Sequence, residues 1–259
     1  MGNKAECNES NMAGSGKVEV SFVDNYAILS MKNGENRLNL EFFKEFYAAL
    51  DEIERNEKVK FLITTGDKKF YSNGLDQEFL ATCTPEEFIE TTSLLPKVLA
   101  RLLSFPMLTV AALNGHTFAG GALLALAHDY RVMRTKKGWF SFPEVKYGMR
   151  FGIGNNLLMR GKIKDPKVIA DAVFMGRRFE AEEALAGGIV HEICDIEKLL
   201  DTAIRMGKAA VGNNNLNRNS VMHLKSDFYS DIISGLQSEI LTGKGLLKSF
   251  EFFGRKSKL

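Results

Sequence analysis

Residues 59–65 (VKFLITT) and 107–113 (MLTVAAL) are apolar almost without a break, and glycine-bearing turns follow both, at Gly66 and at Asn114-Gly115. A strand with one wet face alternates apolar and polar residues. One covered on both faces does not, and double coverage marks a parallel sheet crossed by helices. Helical patterns separate these runs. Residues 40–55 carry an apolar stripe at Phe42, Phe43, Phe46, Leu50 and Ile53, and 85–104 opens with Thr84 as N-cap and Pro85 in the first position. Pro96 inside that second pattern predicts a kink or break. The chain therefore reads as an α/β core.

The flanks complete the division. Residues 18–22 and 26–31 are β-rich runs about Asp24-Asn25, a hairpin, and short strands are predicted at 129–133 and 139–142. Beyond Gly152 helices dominate, at 153–162, 166–174, 180–186 and 196–211. A last helical stretch, 215–252, follows the turn Asn213-Asn214-Asn215 and is interrupted at Gly235, Gly243 and Gly245. The expected organisation is a disordered polar segment 1–16, an α/β core 17–195, a helical region 196–254 and a tail 255–259.

Several classes of function fall away. Lys and Arg total 34 against 32 Asp and Glu, a net charge of +2, so there is no basic stripe to follow a nucleic acid. No apolar run reaches the length of a membrane span. Cys7, Cys83 and Cys194 are too scattered for a metal site, and reduced thiols in an intracellular protein are expected. His116, His128, His191 and His223 show no metal-ligand spacing. The last three residues, Ser257-Lys258-Leu259, form the address read by the peroxisomal import receptor, which predicts a peroxisomal matrix protein.

Two loops carry the chemistry. The run NGHTFAGGALLALAHD at 114–129 places Gly120 and Gly121 at the first turn of an apolar helix, although glycine costs about 0.8–1 kcal/mol relative to alanine there. Close helix packing explains one of them. The other reading is that bare N–H groups at a helix start, lacking intrahelical acceptors and backed by the helix dipole, hold a negative oxygen. The second loop, Ser72-Asn73-Gly74-Leu75-Asp76, follows strand 59–65; Gly74 permits a tight turn, and Asp76 can cap the next helix so that the Leu75 N–H points outward. An ordinary connection would look the same. Two strand-end loops each with a spare N–H would build an oxyanion hole.

The motifs FYSNGLD at 70–76, PMLTVAALNGHTFAGGALLALAHDYR at 106–131 and FPEVKYG at 142–148 resemble the crotonase superfamily, the enoyl-CoA hydratase/isomerase group, over about residues 17–254. Within it the chain is most similar to the peroxisomal Δ3,Δ2-enoyl-CoA isomerases. The resemblance implies a spiral of ββα units with a helical C-terminal trimerisation region, a homotrimer or dimer of trimers, and an acyl-CoA ligand whose coenzyme A enters as part of the substrate, with no separate cofactor. It assigns the hole to the N–H groups of Leu75 and Gly120, with Asn73, Gly74, Asp76 and Gln77 beside the substrate.

It also locates the acid–base group. Hydratases of the group use two glutamates; the first position is Leu123 here, and the second is Glu144 in Phe142-Pro143-Glu144. The turn 148–152, where some isomerases carry their base, holds no carboxylate. One carboxylate suffices to move a double bond, taking a proton from C2 and returning it at C4, whereas hydration is easier with two. The expected activity is that of an enoyl-CoA isomerase in fatty-acid β-oxidation. A hydratase and a catalytically weak acyl-CoA binder are the alternatives. Arg150 could pair with Glu144 and lower its pKa, and Lys68, Lys69, Arg255 and Lys256 could meet coenzyme A phosphates.

Overall fold

The structure is a computed structural model that describes residues 17–212 and 216–242, with side chains to residue 238. The segment 1–16, the turn at 213–215 and the tail with Ser257-Lys258-Leu259 lie outside the described residues.

The chain repeats one pattern. β1 (Val18–Val23) and β2 (Tyr26–Met31) form the expected antiparallel hairpin, and α1 (Leu40–Arg55) follows, capped by Asn39, whose side chain accepts from the Phe42 N–H. Three further units each give one strand to a large sheet and the next to a small one. These are β3 (Phe61–Gly66) with β4 (Phe70–Ser72), β5 (Leu108–Leu113) with β6 (His116–Phe118), and β7 (Tyr130–Arg134) with β8 (Phe140–Ser141). After each pair comes helix: α2 (Gln77–Thr82) and α3 (Pro85–Leu103), then α4 (Gly120–Leu126), then a 3-10 turn Pro143–Tyr147 and α5 (Ile153–Lys162). The short α6 (Pro166–Ile169) runs on into a wider turn to Phe174, and α7 (Ala181–Ala186) leads to β9 (Glu192–Cys194). The large sheet has the order β1-β2-β3-β5-β7-β9, parallel from β2 onward; the small one is β4-β6-β8, also parallel. This is the spiral of ββα units, and the C-terminal helices α8 (Leu199–Val211), α9 (Arg218–Phe228) and α10 (Ser230–Thr242) are present.

The unbroken apolar runs are explained by the packing. Leu62, Ala111, Leu113 and Met133 face the main core beneath α1, α3, α4 and α5, while Ile63, Val110, Ala112 and Val132 face a second cluster closed by Leu199, Ala203 and Met206 of α8. Both faces of the central strands β3, β5 and β7 are thus covered, which strands of this composition require, while the edge strand β1 is largely exposed.

Two expectations need correction. Pro96 does not break its helix: α3 continues from Pro85 to Leu103. Proline forfeits one backbone bond, while this helix buries ten residues, Pro96 among them, and tertiary packing holds it. Gly235 does not interrupt the last helical stretch either. It lies inside α10, where a Cβ would stand 2.9 Å from the Gly154 Cα, so the glycine serves the close crossing of α10 over α5. The break falls instead at Tyr229, whose hydroxyl takes a 2.9 Å bond from Lys162 Nζ. The strands β4, β6 and β9, three residues each, were too short to show a period.

Candidate active site

The first loop leaves β4 at Ser72. Gly74 has φ +81°, a region that favours glycine. Residues 36–38 run alongside: the Leu38 N–H donates to the Gly74 carbonyl (2.8 Å), and the Asp76 N–H donates to the Leu38 carbonyl (3.1 Å). This is a single parallel bridge between Leu38 and Leu75, so the Leu75 N–H is turned to the opposite side, and among the described residues no acceptor meets it. Asp76 caps α2, accepting from the Phe79 N–H at 3.3 Å.

The second loop leaves β6 at Phe118. Ala119 takes φ 52°, ψ −123°, an uncommon conformation for a residue with a side chain and one that costs on the order of 1–3 kcal/mol. Its N–H donates to the Ser141 carbonyl at 3.0 Å, and its carbonyl accepts from Ala122 and Leu123. Gly120 follows as the first residue of α4, where its N–H has no intrahelical acceptor. The seven residues of α4 are all buried, so this amide has a dry backing.

The glycines hold the two loops together. A Cβ at Gly74 would stand 2.8 Å from the Ala119 Cβ and 3.0 Å from the Gly120 amide nitrogen. Gly121 is the packing glycine: a Cβ there would come within 2.5 Å of the Ser72 carbonyl oxygen. Ser72 ties the same region from below, donating to the Asn36 carbonyl (2.7 Å) and accepting from the Gly74 N–H (3.2 Å).

Glu144 sits in the 3-10 turn Pro143–Tyr147 immediately after β8 and is buried, 7% exposed. Its Oε2 has no hydrogen-bond partner among the described residues, and burial pushes its pKa up to about 7. Arg150 is exposed and forms no ion pair with it. At the other family position, Leu123 is buried and apolar.

A cavity of about 330 Å³ lies between the two loops. Asn73, Leu75, Gln77, Ala119, Ser141 and Pro143 line it, as do Arg37, Glu78, Phe118, Tyr147 and Arg178. The Leu75 and Ala119 loops therefore meet in one space. The Glu144 carboxylate is not on the cavity wall; Pro143, its neighbour, is. Arg37 was missed from the sequence, although it lies in Asn36-Arg37-Leu38-Asn39 just ahead of α1, and it pairs with Glu35 (2.8 Å), Glu78 (3.0 Å) and Asp76 (3.6 Å). The Arg37 bond, then that of Asn73, holds the Glu35 carboxyl below its ordinary pKa.

His128 and Asp129 serve the fold. His128 is fully buried between Thr64 Oγ1 (2.9 Å) and the Leu124 carbonyl (2.8 Å), and burial pulls its pKa down to about 4. Asp129 accepts from Thr109 and from Lys225. Among the described residues no group of three His, Cys, Asp or Glu could hold a metal ion, and no helix is long and apolar enough to cross a membrane.

The paired sheets and the glycine-joined loops define a crotonase-type fold. The chain matches the enoyl-CoA hydratase/isomerase family over residues 25–251, and it belongs to that family. It is 31% identical over 182 residues to the peroxisomal enoyl-CoA delta isomerase 1 of Arabidopsis thaliana, covering 69% of this chain and 75% of that protein. A Thermus thermophilus protein named as an enoyl-CoA hydratase is as similar, 33% identical over 72% of this chain and 75% of its own. The crystal structure of human mitochondrial delta3-delta2-enoyl-CoA isomerase superposes with a TM-score of 0.83 over 93% of each chain, at 22% identity.

Proposed function

We propose that the protein is a Δ3,Δ2-enoyl-CoA isomerase of fatty-acid β-oxidation, acting through one glutamate. The observation that carries the reading is the asymmetry between the two family positions: a buried, unpartnered carboxylate at Glu144 and an apolar side chain at Leu123. The ionised Glu144 takes a proton from C2 of a 3-enoyl-CoA. The electron pair spreads over C2–C4 and the thioester oxygen, where the Leu75 and Gly120 N–H groups hold the negative charge. The protonated Glu144 then returns its proton at C4, leaving the double bond between C2 and C3. A group with a pKa near 7 is suited to both halves, because neither protonation state is costly at neutral pH.

Gly74 allows the loops to meet, Asp76 fixes the turn that aims Leu75, and Asn73 and Gln77 face the cavity. The mechanism calls for no cofactor beyond the coenzyme A of the substrate. Exposed Val145, Phe174 and Met175 lie about Gly176, beside the turn that carries Glu144, and an apolar face of this kind fits a homotrimer or a dimer of trimers. Two Arabidopsis relatives are named as peroxisomal, and with Ser257-Lys258-Leu259 they support the peroxisomal matrix as its site.

The test presents purified protein with a 3-enoyl-CoA and, separately, with a 2-enoyl-CoA. Appearance of the conjugated thioester absorbance from the first, with little loss of it from the second, is expected. Brisk hydration of the 2-enoyl-CoA would overturn the isomerase reading in favour of a hydratase. Binding without turnover of either would leave an acyl-CoA binder.

A further inference from the structure

The cavity has two arginines, and they are not equivalent. Arg37 is enclosed by Glu35, Asp76 and Glu78, so that wall carries three carboxylates against one guanidinium. Arg177 is likewise occupied, by Asp171 and Glu183. Arg178 lines the cavity and has no carboxylate partner among the described residues. It is nevertheless held in place. Its guanidinium carbon lies 4.9 Å from the centre of the Trp139 ring and 5.7 Å from that of Phe118. A guanidinium held over ring faces in this way keeps its N–H donors, and none of the five finds an acceptor among the described residues.

The surroundings add to the same field. Phe118 also stacks on His116 and Trp139 lies tilted against it; the His116 Nδ1 has no partner among the described residues, and after burial the nearby charges of Lys69 and Arg178 hold that histidine below its ordinary pKa. A neutral histidine adds no charge of its own, and the charged groups acting on the ring are the cations Lys69 and Arg178. Phe118 is two residues from Gly120, which puts the guanidinium on the wall next to the second loop. A ligand bound with its thioester between the loops therefore meets a negative wall at Arg37 and Glu78 and a positive one at Arg178.

We propose that Arg178 is the anion-holding residue of this cavity, binding a phosphate of coenzyme A or a carboxylate carried on the acyl chain. The inference rests on the thioester reading of the site. A guanidinium fork suits both groups, each offering two oxygens in one plane.

The experiment measures binding alone, with saturated thioesters that undergo neither isomerisation nor hydration, so its outcome is separable from that of the proposed reaction. Hexanoyl-CoA, hexanoyl-pantetheine and the ω-carboxylated adipoyl-CoA are titrated calorimetrically into wild type, Arg178→Met and Arg178→Lys. Loss of a charge-assisted fork should weaken the affected ligand roughly ten- to a hundredfold in Arg178→Met. If the partner is a phosphate, both CoA thioesters weaken and hexanoyl-pantetheine stays within about twofold. If it is the acyl carboxylate, adipoyl-CoA alone weakens. Either pattern supports the proposal. Equal weakening of all three ligands would mean that Arg178 only supports the fold, and no change in any would mean that it binds nothing; both overturn it. Should Arg178→Met fail to fold, Arg178→Lys, which keeps the charge but loses the planar fork, must reproduce the same selectivity at a smaller, severalfold size.

Discussion

Replacing Glu144 by glutamine should stabilise the protein above neutral pH while removing its activity. The folded-state pKa of Glu144 is raised from 4.5 to about 7 by burial. A raised carboxyl pKa means that the folded state holds its proton where the unfolded chain has lost it. Between pH 4.5 and 7 the folded state therefore binds more protons, and stability falls as pH rises. Over that span the shift corresponds to about 3 kcal/mol, present as a penalty above pH 7 and absent below about pH 4.5. Glutamine never ionises and escapes this penalty, although its buried amide costs on the order of 1–3 kcal/mol where it finds no partner. That second cost does not vary with pH. The measurable quantity is therefore the difference between the two proteins across pH: thermal unfolding at pH 4.5 and pH 8 should show glutamine gaining about 3 kcal/mol relative to glutamate, several degrees in Tm for a chain of this length. The same pKa sets the activity, so wild-type kcat/KM should rise with pH to a plateau above about pH 7, and Glu144→Gln should lose ~10²–10⁴ of it. Parallel stability curves for the two proteins would refute the burial argument. Undiminished turnover by Glu144→Gln would remove it as the base.

Gly120→Pro deletes one amide donor at a position where a helix tolerates proline, and a loss of ~10²–10³ in kcat is expected in a variant whose circular dichroism is unchanged; near wild-type turnover would dismiss Gly120 as a donor. Gly74→Ala places a Cβ 2.8 Å from that of Ala119 in a positive-φ turn, so activity should fall together with a destabilisation of about 1–3 kcal/mol, read by denaturant unfolding. Deleting Leu259 should leave a folded but cytosolic protein, and continued peroxisomal import, in cells without untagged wild type, would sink that assignment.

Much of this molecule could be read from periodicity because its major elements are long and buried. The runs at 59–65 and 107–113 gave β3 and β5 within two residues, and the Phe42, Phe43, Phe46 stripe gave α1. Of the small sheet only β8 was legible, within the run 139–142; β4 and β6 span three residues each, less than two repeats of a strand's period, and they exist because each is paired by the next unit of the spiral. Pro96 and Gly235 misled in the same manner. Local preference marks both as breakers, yet each is outweighed by what the helix packs against.

The candidate site divides along the same line. The turns that carry its proposed donors, Leu75 and Gly120, were legible because glycines and a cap at fixed offsets constrain the chain locally. What holds the loops together was not. Ser72 bridges Asn36 and Gly74, residues 36 and 2 positions away, and its carbonyl is the surface against which Gly121 must be bare. Arg178 reaches Trp139 and Phe118 across 39 and 60 positions. Nothing in a single sequence distinguishes such residues from ordinary polar ones, because their roles are created by contacts between units rather than within them. The strained Ala119 belongs with them: an alanine gives no sign of a positive φ, and the conformation persists because the Ser141 carbonyl, the start of α4 and Gly74 fix it from three sides. That strain falls one residue before Gly120, the proposed donor, at the turn from β6 into α4, so a residue uninformative in the sequence shapes the same turn as the glycines.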